Sequence, residues 1–221
     1  MQRIGIISDT HFPTRVPAMQ WDDIARIFDG VSMILHAGDI ETQDVLTRLE
    51  TIAPVTAVQG DDDKVLLPLK KVMTVNRVRI GLMHSHRPRL LELWKKYQSL
   101  TIYKNDRTYL YDIQEHLLTQ FAEDDVRVIV FGHTHTPYSK IHEDTLLFSP
   151  GAVYAMTPES ARWQLKQPQS FMRKRMLQRK LRDYAKHPDK PQPIPSIGTL
   201  TIWDNGKIDA EIFNLPYVEY A

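Results

Sequence analysis

Five short stretches set carboxylates and imidazoles directly behind apolar runs: Ser8-Asp9-Thr10-His11, His36-Ala37-Gly38-Asp39, Gln59-Gly60-Asp61-Asp62-Asp63, Met83-His84-Ser85-His86 and Phe131-Gly132-His133-Thr134-His135. Singly, each has an ordinary reading, because an Asp after a strand commonly caps a turn or helix and a lone His is commonly a satisfied polar residue. Together they form a set of hard oxygens and imidazoles, and the chain has no cysteine to add sulfur. Such donors suit Mn²⁺, Fe²⁺ or Zn²⁺. The spacing of Asp9 and His11, and of His133 and His135, turns alternate residues of a tight loop toward one cavity. Two side chains can then approach one ion or two neighbouring ions. Gly38, Gly60 and Gly132 stand immediately before an Asp or a His, where a missing Cβ permits backbone conformations closed to other residues. Asp61, Asp62 and Asp63 pose the sharpest question. Three adjacent like charges are tolerable in a solvated turn, or beside a cation.

These residues need elements to hold them. Ile4–Ile7, Val31–Leu35 and Val55–Val58 read as short buried strands, each running into a Gly or Asp cluster, with helical apolar spacing over Pro17–Phe28 and Thr42–Leu49 between them. A β-α-β-α-β opening predicts a largely parallel sheet whose strand C-termini converge on one crevice. Lys71–Val75 with Val78–Met83 predicts a hairpin across Asn76-Arg77. A helix follows over Asp112–Phe121, then a buried strand over Val126–Phe131 and a second hairpin from Tyr138–His142 and Thr145–Phe148. A third hairpin joins Ile197–Trp203 to Lys207–Phe213 around Asp204-Asn205-Gly206. Two sheets packed face to face with helices outside are expected. The connections 87–108 and 158–195 are longer than such an arrangement needs. Within the second, Gln169–Ala185 reads as a helix and Pro188, Pro191, Pro193 and Pro195 as an extended linker.

The 221 residues are enough for one sizeable core, and a hydrophobic fraction of 42% is ordinary for a globular protein. Neither a signal peptide nor a membrane span is evident, so a cytoplasmic protein without a membrane partner is expected. The net charge of +1 hides an asymmetry. Segment 162–190 holds ten Lys or Arg against Asp183 and Asp189, a net +8, which leaves −7 for the remainder. That segment could recruit nucleic acid, fold onto the acidic body, or mediate a homo-oligomer.

In their order along the chain, D-x-H, G-D, a loop like G-N-x-D, H-x-H and G-H-x-H resemble the motifs of the calcineurin-like metallophosphoesterase superfamily. The likeness is narrower still to its small bacterial and archaeal phosphodiesterase branch, and covers Met1 to Gly151 with the last hairpin. It implies an α/β fold, a four-layer α/β/β/α sandwich of two mixed sheets, as a single domain over 1–221 with a helical basic insertion. It also implies phosphoester hydrolysis, most of all of phosphodiesters, with two divalent ions (Mn²⁺ first, Fe²⁺ or Zn²⁺ as alternatives) sharing a hydroxide for in-line attack. By motif, Asp9, His11 and His135 would hold one ion and Asp61, His84 and His133 the other, with Asp39 bridging. The family has Asn where this chain has Asp61. Asp62 takes the position of a histidine thought elsewhere to protonate the leaving group, and His86 is a second candidate for proton donation or substrate contact. Asp63 would orient the loop or a histidine. His36 is expected to pack behind the site, His116, His142 and His187 to lie at the surface, and Trp94, Tyr97 and Tyr103 to line a pocket or pack down their own connection. Two other functions compete: a protein-binding scaffold, as in the phosphoesterase-like subunit of the retromer coat, and a nucleotide phosphatase.

Overall fold

Alternation within β1 (Gln2–Ile7) sorts its side chains between two layers, since successive residues of a strand face opposite ways. Ile4 and Ile6 enter one fully buried cluster and Ile7 another. The computed structural model describes residues 1–85 and 106–220, with side chains described again from Asp112. One sheet has the order β10-β9-β1-β2-β3, combining β1 with β2 (Met33–His36), β3 (Val55–Ala57), β9 (Ser196–Ile202) and β10 (Ile208–Asn214). The other has the order β4-β5-β6-β8-β7, from β4 (Lys70–Val75), β5 (Val78–Met83), β6 (Val128–Phe131), β7 (Pro137–His142) and β8 (Thr145–Pro150). Strands β1, β2 and β3 are parallel to one another, as are β5, β6 and β8, while β4, β7, β9 and β10 pair antiparallel.

The inner faces of the sheets share one core: Ile4, Ile6 and Leu35 meet Ile80, Leu82, Val128, Val130 and Phe148. Outside the first sheet, α1 (Trp21–Ile27) and α2 (Gln43–Glu50) bury Ile24, Ile27, Val45 and Leu49 against Ile7 and Ile34. Outside the second, α3 (Asp106–Gln120) buries Ile113 and Leu117 against Ile129 and Phe131. The arrangement is the expected α/β/β/α sandwich. Among the described residues no helix is long and apolar enough to cross a membrane.

Three boundaries differ from expectation. Helix α1 starts at Trp21 rather than Pro17; Met19 is buried in the same layer but reaches it from a loop, so apolar spacing there reflects burial and not helix. Helix α3 starts at Asp106, inside the expected insertion 87–108. The rest of that insertion, with Trp94, Tyr97 and Tyr103, lies outside the described residues. Segment 158–195 carries two helices, α4 (Pro158–Lys166) and α5 (Phe171–Lys186). Helix α4 has a signature the sequence already held: the Thr157 hydroxyl accepts the Ser160 N–H and Pro158 opens the first turn. Helix α5 is capped by Ser170 and anchored by buried Leu177 and by the Tyr184 hydroxyl, which donates to the Met156 carbonyl at 2.7 Å.

Candidate metal centre

The loops leaving β1, β2, β3, β5 and β6 meet at one end of the sandwich. Backbone hydrogen bonds tie the first two together, Asp9 N–H to the Gly38 carbonyl at 3.0 Å and His11 N–H to the Asp39 carbonyl at 3.1 Å. All seven residues read as metal ligands come together there, in two groups. Asp9, His11, Asp39 and His135 offer atoms within 4.8 Å of one another, and so do Asp61, His84 and His133. Asp39 joins the groups, because its Oδ2 lies 3.2 Å from His11 Nε2 and 3.4 Å from His84 Nε2. Its other oxygen accepts the Asp62 N–H at 2.9 Å, which fixes the carboxylate plane. Asp61 Oδ1 stands 3.1 Å from His84 Nε2 and 3.2 Å from His133 Nδ1, and Asp9 Oδ1 lies 3.2 Å from His135 Nε2. Asp9, His11 and His84 are fully buried.

The backbone is bent to make this possible. Asp9, His11, Asp39, His133 and His135 all have φ between 46° and 71°, a left-handed conformation uncommon for residues with a Cβ and concentrated at functional sites. Of the three glycines, only Gly38 is there for its φ, +94°. Gly60 and Gly132 are required by crowding. A Cβ on Gly60 would stand 2.2 Å from Asp39 N and Oδ1, and one on Gly132 2.1 Å from Ser8 Oγ.

The three adjacent aspartates divide their work. Asp61 turns into the centre. Asp63 turns away and clamps the β2–α2 loop, its oxygens accepting the backbone N–H groups of Asp39, Ile40, Glu41 and Gly60 at 2.6–3.0 Å. Asp62 stays at the rim, half exposed, paired with Arg15 and 3.7 Å from His11 Nδ1. Burial and the carboxylates of Asp39 and Asp61 lift the Asp62 carboxyl above its ordinary range, against the pull of Arg15. His86 lies outside the described residues.

Several groups around the centre were not read from sequence. Glu41 Oε1 lies 2.9 Å from His11 Nδ1, so Nδ1–H donates there and the Nε2 lone pair faces inward. The Ala37 carbonyl likewise accepts from His84 Nδ1 at 2.7 Å, which fixes that ring. Ser8 Oγ donates to Asp9 Oδ2 at 2.6 Å, and the His133 N–H reaches both Asp9 oxygens at 3.1 Å. The Tyr154 ring stacks edge-on against His11 and His135, with centroids 5.4 and 5.3 Å away. Glu41 follows the G-D motif closely enough to be suspected; the others carry no sequence signal.

Charge and tautomer fit a cation. Burial alone would raise the Asp9 carboxyl, but His135, His84 and Ser8 outweigh it and hold it down at about 2. Asp61 is likewise driven down, the imidazoles of His133 and His84 overcoming its burial. For His84, Asp39, Asp61 and Asp9 overcome burial and push the imidazole well above its usual range. His11 moves the other way: burial, then the positive field of Arg15, His135 and His84, keep it neutral. The neutral His11 therefore presents a lone pair to the Asp39 carboxylate 3.2 Å away, an acceptor–acceptor contact that a shared cation relieves. His36 takes no part in the donor set. Burial holds it neutral, with a pKa of about 3, between the Gly38 N–H, which it accepts at 3.2 Å, and Thr10 Oγ1 at 3.4 Å. His187 is exposed as expected, whereas His116 and His142 are half-buried; His142 Nε2 lies 3.1 Å from the Tyr138 hydroxyl on the same strand.

The comparisons with known proteins agree with this geometry. The calcineurin-like phosphoesterase superfamily domain matches residues 2–167. A curated protein of Methanothermobacter thermautotrophicus, named "Probable metallophosphoesterase", is 33% identical over 152 residues, which are 67% of this chain and 76% of that protein. Among solved structures, Vps29 of Entamoeba histolytica complexed with Zn²⁺ has a TM-score of 0.56 at 21% identity, covering 96% of this chain and 99% of that one. An archaeal phosphodiesterase has a TM-score of 0.52 at 17% identity, covering 96% and 100%. At those identities the structural likenesses speak for the fold alone, while the domain match and the curated relative reach the sequence itself. The chain belongs to the calcineurin-like phosphoesterase superfamily.

Proposed function

We propose that the chain is a phosphoester hydrolase dependent on two divalent metal ions, with phosphodiesters as its preferred substrates. The observation that carries this reading is the position of Asp39 Oδ2, one oxygen facing both groups of donors. Asp9, His11 and His135 would hold one ion, Asp61, His84 and His133 the other, and Asp39 both. The oxygen and imidazole donors favour Mn²⁺, with Fe²⁺ or Zn²⁺ as alternatives. Such a pair of ions supplies a nucleophile at neutral pH and neutralises charge on the phosphoryl oxygens. The protein's own part is positional. Glu41 and the Ala37 carbonyl fix the imidazoles, Asp63 holds the loop that presents Asp39, and Asp62 stands at the mouth as the candidate leaving-group acid, a role His86 would contest. Diesters are put first because the archaeal protein that shares the fold is named a phosphodiesterase. A pure scaffold role is disfavoured because every ligand position keeps a side chain able to coordinate.

The test is hydrolysis of an aromatic phosphodiester and its monoester by metal-stripped protein reconstituted with Mn²⁺, Fe²⁺ or Zn²⁺. Diester turnover that requires added metal is expected; metal-independent turnover, or none with any metal, would refute the proposal. Two variants refine it. Glu41→Ala removes the acceptor that sets the His11 tautomer and should weaken the first ion by about 10–100-fold in a metal titration, with Glu41→Gln recovering much of the loss. Asp61→Asn should loosen the second ion by about tenfold, because one ligand charge is gone. It should also raise turnover at saturating Mn²⁺, since a competing negative charge no longer weakens the electrophile. Unchanged Mn²⁺ dependence would mean that Asp61 is not a ligand.

A further inference from the structure

Beside the centre lies a cavity of about 360 Å³ into which three cationic side chains converge from separate segments: Arg15 from the β1–α1 loop, Lys64 from the β3–β4 loop, and Arg173 from the first turn of α5. Its wall toward the metal ligands is made by Glu41 and Asp62, whose oxygens come within 4.8 Å of a His11 ring nitrogen. These two carboxylates are already engaged, Glu41 with His11 Nδ1 at 2.9 Å and Asp62 with Arg15. Arg173 donates to the Gln164 amide oxygen at 2.7 Å, and among the described residues neither it nor Lys64 forms an ion pair. Arg15 donates to the Tyr154 hydroxyl at 3.4 Å, and Arg173 is drawn to the same hydroxyl. Two guanidinium groups are thus drawn to one hydroxyl, and Arg15 raises the cost of the Arg173 charge. Burial and the neighbouring Arg15 hold the Arg173 guanidinium below its usual range, against the pull of Tyr154 and Asp62, and the Asp62 carboxylate is already paired with Arg15.

The geometry points to an anion subsite: Arg15, Arg173 and Lys64 receive a second phosphoryl group of the substrate, carried next to the scissile phosphoester. A guanidinium pair suits this because its fork geometry matches phosphate oxygens and its charge never titrates away. Tyr154 is common to both places, since its ring packs on His11 and His135 while its hydroxyl meets the arginines. A substrate spanning the two places would be a small phosphoester bearing a further phosphate. Helix α5 therefore does more than present a basic surface. Its first turn completes a pocket, while Lys174, Arg175, Arg179 and Lys180 remain exposed. The pocket's role in selecting substrates depends on the phosphoester reading above, whereas its affinity for phosphate does not.

Two measurements on the full chain separate those dependences. In the first, metal-stripped protein is melted with increasing inorganic pyrophosphate at constant ionic strength. The melting temperature of the wild type should rise, Arg173→Gln should lose that rise, and the double variant Arg179→Gln/Lys180→Gln should keep it. In the second, Mn²⁺-loaded protein is given a nitrophenyl phosphodiester of a nucleoside with or without a second phosphate on the sugar. The wild type should favour the doubly phosphorylated compound, and Arg173→Gln should reduce that preference in kcat/KM by about 10–100-fold, with Arg173→Lys recovering part of it. An Arg173→Gln protein that responds to pyrophosphate like the wild type, or keeps its preference, overturns the subsite. So does equal loss in the Arg179/Lys180 variant, which would mean diffuse attraction by the helix. Failure of the wild type to hydrolyse either compound would sink the phosphoesterase reading instead, with the pyrophosphate melt still deciding the subsite.

Discussion

Asp39→Ala is expected to abolish binding of both ions and reduce diester turnover by on the order of 10³-fold or more, the several kcal/mol that metal ions contribute to phosphoryl charge stabilisation. No other side chain can take over, because Oδ2 of Asp39 is the one described oxygen within 3.4 Å of both His11 Nε2 and His84 Nε2. The fold should survive. Apart from its contacts with His11 and His84, the Asp39 side chain accepts one hydrogen bond, from the Asp62 N–H, and the loop beneath it is held by Asp63. Metal analysis beside circular dichroism checks both halves. Two ions still bound with turnover intact would show that the bridging position has been assigned to the wrong residue.

Gly60→Ala should be nearly as damaging without removing any ligand. The new Cβ would meet Asp39 N and Oδ1 at 2.2 Å and Asp39 Cα at 2.9 Å, and these are backbone and a pinned carboxylate that cannot rotate away. Asp39 must move, and displacing a catalytic group by about 1 Å costs about 10²-fold in turnover. The accompanying overpacking should lower stability by about 1–3 kcal/mol. Gly30→Ala separates strain from crowding. Gly30 also has positive φ, +71°, but open space around it, so that variant should lose about 1–2 kcal/mol of stability and no activity. Denaturant melts and steady-state kinetics on the pair decide the matter. Equal activity in Gly60→Ala and wild type would mean that the β3 loop is free to yield.

The sheets were legible because each central strand is a short run of Ile, Val and Leu, such as Ile4–Ile7 or Val128–Phe131, ending at a polar loop. All seven residues that converge on the candidate centre were legible for the same reason, since carboxylates and imidazoles recur as a set at those strand ends. What holds them was less visible. That Asp9, His11, Asp39, His133 and His135 take positive φ cannot be read from residue type, since Asp and His tolerate that conformation better than most residues but still adopt it seldom. Arrangements of distant segments, such as Arg15 against Tyr154 or Ser170 and Asp62 on one cavity, need the fold first. Segment 162–190 shows the limit most clearly. Its +8 charge is equally compatible with a polyanion surface, a clamp on the acidic body or an oligomer contact, whereas the fold turns Arg173 inward toward Gln164 and Tyr154 and leaves its neighbours on the helix in solvent. Composition counts charges without saying which way they face.

The most direct test of the proposed two-ion centre is a titration of metal-stripped protein with Mn²⁺, following bound ions per chain and phosphodiester turnover in the same samples. Two ions should bind, with turnover rising as the second site fills and saturating with it. Turnover that is complete with one ion bound, or two ions bound in an Asp39→Ala protein as in the wild type, would contradict a centre built around the Asp39 carboxylate.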